Sequence, residues 1–175
     1  MIKKGILTGF LVFILTGCSN MKLDDFADKN PEFKLEEYFL GKTTATGLFI
    51  DRFGKVKRQF TVDMEGIQDG DLFILNETFL YDNGEEEFRR WEIKKTGKKT
   101  YEGNSSDIKG IALGERSGNA VNWHYTFKLK YRDRVMLVKF DDWLIMQDKK
   151  NVFNKATMKK FGIRLGDVYL FFRKN

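Results

Sequence analysis

Lys55-Val56-Lys57-Arg58-Gln59-Phe60-Thr61-Val62-Asp63-Met64-Glu65 alternates polar and apolar residues almost without a break. Lys55, Lys57, Gln59, Thr61, Asp63 and Glu65 are polar; Val56, Phe60, Val62 and Met64 are apolar, and Arg58 is the one exception among the even positions. Successive side chains of a strand point to opposite faces, so this segment is a β-strand with one wet face and one core face. Its charged outer face argues against a membrane-spanning barrel, whose outer face must be apolar.

The same pattern continues on both sides. Thr43–Ile50 precedes it, and Asp71–Tyr81, Glu86–Lys95, Lys99–Gly103, Ile108–Glu115, Ala120–Leu129, Arg134–Met146, Val152–Lys159 and Ile163–Arg173 follow. Short polar turns separate them, among them Gln68-Asp69-Gly70, Ser117-Gly118-Asn119, Tyr131-Arg132-Asp133 and Asp148-Lys149-Lys150. Asp82-Asn83-Gly84 is the strongest hairpin signal, because Asn and Gly tolerate positive φ. Ahead of the strands, Asn30-Pro31 reads as a helix start, with Asn as N-cap and Pro at the first helical position. Phe33, Tyr38 and Phe39 give that helix an apolar side, and Gly41 is placed to end it. The expectation is a mainly β fold: an antiparallel, up-and-down, lipocalin-like barrel of about ten strands with one short N-terminal helix, closure removing the exposed edges. The rival arrangement is an open, strongly bent sheet wrapped around the helix.

The N-terminus has a different character. Lys3 and Lys4 precede an apolar run from Gly5 to Leu15, too short to span a bilayer comfortably, and then Thr16-Gly17-Cys18. Cys18 is the only cysteine, so no intrachain disulfide and no cysteine-based metal site can form. A lone cysteine in an exported chain is an oxidisable thiol unless something consumes it. Leu15-Thr16-Gly17-Cys18 resembles the bacterial lipobox, which implies diacylglycerol on the thiol and a fatty acyl group such as palmitate on the new N-terminus. The expected organisation is a signal peptide over 1–17, lipidated Cys18 and a polar tether over 18–29, and one β domain over 30–175. Several acyl chains anchor a protein firmly to a membrane. Ser19, in place of the Asp associated with retention in the inner membrane, points to the inner leaflet of the outer membrane, facing the periplasm.

At 175 residues, the chain has room for one domain, and 17 Phe residues can fill its core. The formal charge is +6, or +4 once Lys3 and Lys4 are removed with the leader, and the charges are interspersed, which argues against a nucleic-acid partner. His124, the only histidine, alternates with Asn122 and Thr126 on a wet face, so neither a Ser/His/Asp triad nor a zinc site is indicated. Gly114-Glu115-Arg116-Ser117-Gly118 carries its serine one place late for a nucleophile elbow. The glycines are scattered, with no phosphate loop. Asp141 and Asp142 point to opposite faces of a strand and cannot act together as acid and base. No catalytic residue and no cofactor are expected.

Charges recur on faces that otherwise belong to the core: Arg58 between Val56 and Phe60, Glu77 between Leu75 and Phe79, Arg89 with Trp91 and Ile93, and Asp142 with Phe140 and Leu144. A charge in a low-dielectric interior is costly unless paired. One reading is a cavity in which Arg58 and Arg89 clamp an anionic head group, with Trp91, Trp123 and Trp143 among the wall residues. The other, favoured because no spacing is ligand-specific, is an internal ion-pair network of Arg58, Glu77, Arg89 and Asp142. The functional expectation is a membrane-anchored lipoprotein whose barrel binds a small amphipathic or acyl-chain ligand. Two alternatives stand beside it. One is an envelope assembly module with a packed interior and an exposed apolar patch; the other is an enzyme acting on a lipid-like substrate.

Several fragments together resemble a family of proteobacterial lipoproteins, DUF3833: Asn30-Pro31-x-Phe33, Leu35-Glu36-x-Tyr38-Phe39-x-Gly41, Gly47-x-Phe49-x-Asp51-Arg52-Phe53-Gly54, Arg58-x-Phe60, Glu77-x-Phe79, Arg89-x-Trp91-x-Ile93, Tyr101-x-Gly103, Gly118-Asn119-Ala120, Asp141-Asp142-Trp143 and Lys160-Phe161-Gly162. The likeness runs from Asn30 to Lys174. It implies a lipoprotein signal ahead of a single β domain and transfers no catalytic residue.

Overall fold

Half-buried strands with no gap between them must find partners for both edges, and here the last strand pairs with the first. A computed structural model describes residues 21–131 and 133–175; the segment expected to be a signal peptide (1–17) and the expected lipidation site Cys18 lie outside the described residues. Ten strands run β1 (Gly41–Asp51), β2 (Val56–Asp69), β3 (Leu72–Tyr81), β4 (Glu86–Lys95), β5 (Thr100–Asn104), β6 (Ala112–Ser117), β7 (Ala120–Tyr131), β8 (Arg134–Met146), β9 (Asn151–Lys160) and β10 (Ile163–Lys174). Each pairs antiparallel with its sequence neighbours, and β10 returns to β1 from Thr43↔Lys174 to Asp51↔Gly166, so the barrel is closed. The open-sheet arrangement is thereby set aside. Gly84, not Asn83, takes the positive φ of the β3–β4 turn, at 81°.

One end is plugged. The helix expected to start at Asn30-Pro31 instead spans only Leu35–Phe39 (α1), with Lys34 as its N-cap; the Asn30-Pro31 peptide is cis and Pro31 lies outside the helix. Burial sets the start. Phe33 N–H donates to the Gly118 carbonyl (2.8 Å) and Glu32 pairs with Arg116, so the chain crosses the barrel end extended before it can coil. Gly41 ends the helix at φ 78°, as its position predicts. Phe33, Leu35, Tyr38 and Phe39 are buried, and Phe39 meets Phe172 edge-on at 5.4 Å. Phe39 also crosses Gly66 so closely that a Cβ there would stand 2.0 Å from its carbonyl oxygen.

Two further departures matter for the site. Within the segment read as a polar tether, Leu23–Phe26 forms a 3₁₀ turn whose Phe26 ring packs on Trp143 at 5.7 Å. The strand expected from Ile108 starts only at Ala112. The preceding loop instead lies along β7, where Lys109 N–H donates to the Thr126 carbonyl (2.8 Å) and Lys128 N–H to the Asp107 carbonyl (2.7 Å). Because β5 and β6 are short, β4 reaches β5 only through Glu92–Lys95, and this loop fills the gap toward the open end.

Candidate ligand cavity

Inward-facing side chains from eight of the strands, all but the short β5 and β6, and the plug helix enclose a cavity of about 680 Å³, open at the end away from α1. That volume falls in the ordinary range for small-molecule sites. Leu35, Phe39 and Phe172 form the floor; Phe49, Phe60, Phe79, Phe127, Phe140, Met158 and Val168 form most of the wall. Trp123 lies flat across two short strands because Gly103 and Gly114 offer no side chain: added Cβ atoms would meet its ring at 3.2 and 2.8 Å.

Into this apolar cup projects a belt of polar groups. The Arg89 guanidinium lies between the Phe79 and Phe127 rings, 4.8 and 5.0 Å from their centroids. Its closest anion is Asp107, with Nε 2.6 Å from Oδ2, while Glu87 and Glu77 stand at 3.7 and 3.8 Å. Burial disfavours the Arg89 charge, yet Glu77 and Asp107 more than offset it and hold its pKa above the ordinary value. Glu77 accepts a hydrogen bond from Trp91 Nε1 (3.2 Å), but Arg89 is committed chiefly to Asp107. Desolvation therefore wins at Glu77, whose carboxyl is pushed up to about 7. Asp142 accepts from the Tyr125 hydroxyl (2.9 Å) and from the Asn154 amide, and burial pushes its pKa up too. The Tyr125 phenol is raised, first by burial and then by Asp142.

The four inner charges thus separate. Glu77, Arg89 and Asp142 sit in the lumen, and Arg89 and Glu77 do pair. Arg58 is not in that network: it stands at the mouth, over the Tyr81 ring at 3.9 Å, and pairs with the exposed Glu85. Arg89 is not a free clamp either, because three carboxylates already face it. Trp91 and Trp123 line the cavity; Trp143 does not. It occupies the outer face of β8, and Phe26 covers it from outside. Asp107, which sequence reasoning missed, is the chief partner of Arg89. It lies on a loop, where strand alternation gives no side-chain direction. The arrangement offers an apolar body site, buried acceptors at mid-depth, and cations (Arg58, Lys57 and Lys130) at the opening.

Closure, strand order and a lumen open at one end place the chain among the lipocalin-like β-barrels. It belongs to the family described as protein of unknown function DUF3833, whose profile matches residues 12–174. Among solved structures it is similar to the S-type phycobiliprotein lyase CPES from Guillardia theta, with a TM-score of 0.56 at 9% identity over 80% of this chain and 90% of that one. At that identity the likeness is one of fold. No curated protein matches the sequence.

Proposed function

We propose that this protein is an envelope lipoprotein whose barrel holds one small amphipathic molecule, its apolar body in the lumen and its anionic end at the mouth. The observation that carries the reading is the open cavity, with an aromatic and aliphatic wall and the cations Arg58, Lys57 and Lys130 at the rim, Arg58 and Lys57 paired there with Glu85 and Asp51. Inside, Arg89 is outnumbered by carboxylates, so a second anionic group is unwelcome there; a neutral hydrogen-bond donor on the ligand suits Glu77 and Asp142. The fold shared with a phycobiliprotein lyase supports a barrel used as a container. The lipobox-like Leu15-Thr16-Gly17-Cys18 supports the anchor. Phe26, eight residues after Cys18, lies against Gly118 at the plugged end, so acylated Cys18 would hold that end toward its membrane.

Native mass spectrometry of the protein extracted from its host membrane tests both parts. The expected result is a bound amphiphile of fatty-acid or phospholipid mass, together with acyl mass at Cys18. Protein that arrives empty, and takes up no fluorescent fatty acid afterwards, ends the container reading. A second reading, docking to an envelope protein, is favoured by an outer groove lined by Leu48, Leu80, Phe153 and Phe171, with Leu80, Phe153 and Phe171 exposed. Crosslinking through that groove to one envelope protein, without bound lipid, would favour it.

A further inference from the structure

Two neighbouring turns at the open end carry the same short motif, a cation followed by Phe and Gly: Arg52-Phe53-Gly54 between β1 and β2, and Lys160-Phe161-Gly162 between β9 and β10. β10 pairs with β1, and Arg52 N–H donates to the Leu165 carbonyl (2.9 Å), which sets the turns side by side. Both aromatic rings point away from the fold: Phe53 is 73% exposed and Phe161 is 92% exposed. Each sits against its own cation, Arg52 at 4.7 Å and Lys160 at 5.4 Å. Phe161 also adopts φ 52°, the left-handed region that a bulky L residue rarely enters. The chain therefore bears a conformational cost to display a large apolar group that buries nothing in the folded state. The two-residue β9–β10 turn needs positive φ at both Phe161 and Gly162, so what lacks a folding benefit is the choice of Phe where Asn or Gly would fit at lower cost, and such a choice points to function.

The charge around these tips is one-sided. Arg52, Lys55, Lys57, Lys159, Lys160 and Arg164 lie on or beside them. Of the nearby acids, Asp51 is bound to the Phe53 and Lys55 amides (2.9 and 3.0 Å) and pairs with Lys57 (3.5 Å), and Asp167 is buried against Arg164, so the excess of cations rests on Arg52, Lys55, Lys159 and Lys160. The β3–β4 turn, next to the β1–β2 turn on the side away from β9–β10, is the opposite in charge, with Asp82, Glu85, Glu86 and Glu87. Aromatic tips ringed by cations match the interface of an anionic bilayer, where rings sit at head-group level and lysines and arginines meet phosphate.

We infer that the β1–β2 and β9–β10 turns dock the open end on an anionic phospholipid surface, Phe53 and Phe161 entering the head-group layer. This leaves the acidic β3–β4 side raised and brings the cavity mouth beside lipid. The inference rests on the container reading for its purpose, though not for its geometry. With an anchor at the plugged end, the rim faces away from the anchoring membrane, so it would meet a second one.

Full-length protein reconstituted in phosphatidylcholine vesicles is mixed with dye-labelled vesicles of phosphatidylcholine, or of the same lipid with about one third phosphatidylglycerol. The expected result is capture of the anionic vesicles only, weakened by salt. Removing two cations (Arg52→Gln with Lys160→Gln) should weaken capture roughly thirtyfold, and Phe53→Ser with Phe161→Ser should abolish it. Both double variants should take up fluorescent fatty acid into the lumen as the wild type does, which confirms that they are folded. If the protein leaves its own vesicles, the anchor reading alone has failed, and flotation of free protein with the same lipids reads the same variants. Equal capture of neutral vesicles, or capture unchanged by the Phe variants, overturns the inference. So does preferential binding to an acidic polypeptide with the Phe tips dispensable, which would assign the rim to a protein partner.

Discussion

Glu77 shows how one buried carboxylate sets a pH response. Its pKa stands at about 7 in the folded state against an ordinary 4.5, so the folded chain binds a proton more tightly than the unfolded one. The folded state then holds more protons between those values, and stability must fall as pH rises through that window, with full stability below about 4.5 and the whole penalty present above about 7. The lowered carboxyls of Asp51, Asp148 and Asp167 act in the opposite sense, and only in more acidic solution. Urea unfolding between about pH 5 and about pH 8 should therefore show a loss on the order of 3 kcal/mol with rising pH, shared in direction by Asp142. Glu77→Gln keeps an acceptor for Trp91 and should remove most of the slope. A wild type equally stable at both ends of that range, or a variant with an unchanged slope, would rule out desolvation as the governing effect. At this scale the sequence was informative about which charges turn inward, since alternation places Glu77, Arg89 and Asp142 directly. It was silent about partners. Loop residue Asp107 satisfies Arg89, Glu85 draws Arg58 to the rim, and Phe26 buries Trp143 from the side alternation marks as wet.

At the level of elements, the strands were legible because each lies between water and core, and nearly every expected segment reappears within a few residues. β6 is the exception at its start, and the helix is the larger one. Asn-Pro suits a helix N-terminus, but it also suits an extended turn, and only the anchoring of Glu32 and Phe33 at the barrel end decides between them. The plug's closeness to β2 gives a direct test. Gly66→Ala would force a Cβ to within 2.0 Å of the Phe39 carbonyl oxygen and against the Phe73 ring, so the helix must lift. Overpacking of this kind costs about 1–3 kcal/mol, occasionally more. We expect a lower Tm and, in hydrogen exchange, faster opening of amides in α1 and the plug-end halves of β1 and β2 than at the mouth. Uniform loss of protection across the barrel would mean that the helix is not a separable plug.

For the whole molecule, the question is why a ten-stranded barrel keeps a lumen at all. Eight strands leave an interior that side chains can just fill, and additional strands widen it. An empty, dry apolar void of 680 Å³ would cost about 16 kcal/mol at roughly 24 cal/mol per Å³, more than the whole stability of about 5–15 kcal/mol typical of a domain. The lumen must then be hydrated or occupied, and displacing water from its aromatic wall is the driving force available to a ligand. Ala156 faces this space from β9, opposite Asp142 in register. Replacing it with Phe adds an aromatic ring where the barrel is hollow. In a filled core that change would be destabilising; here Ala156→Phe should leave Tm unchanged or slightly higher while weakening uptake of a fluorescent fatty acid by at least about tenfold. The wild type should show the complementary behaviour, its Tm rising with probe concentration as mass action requires. A variant that loses stability and still takes up the probe like the wild type would mean that the ring displaced packed atoms and the ligand lies elsewhere.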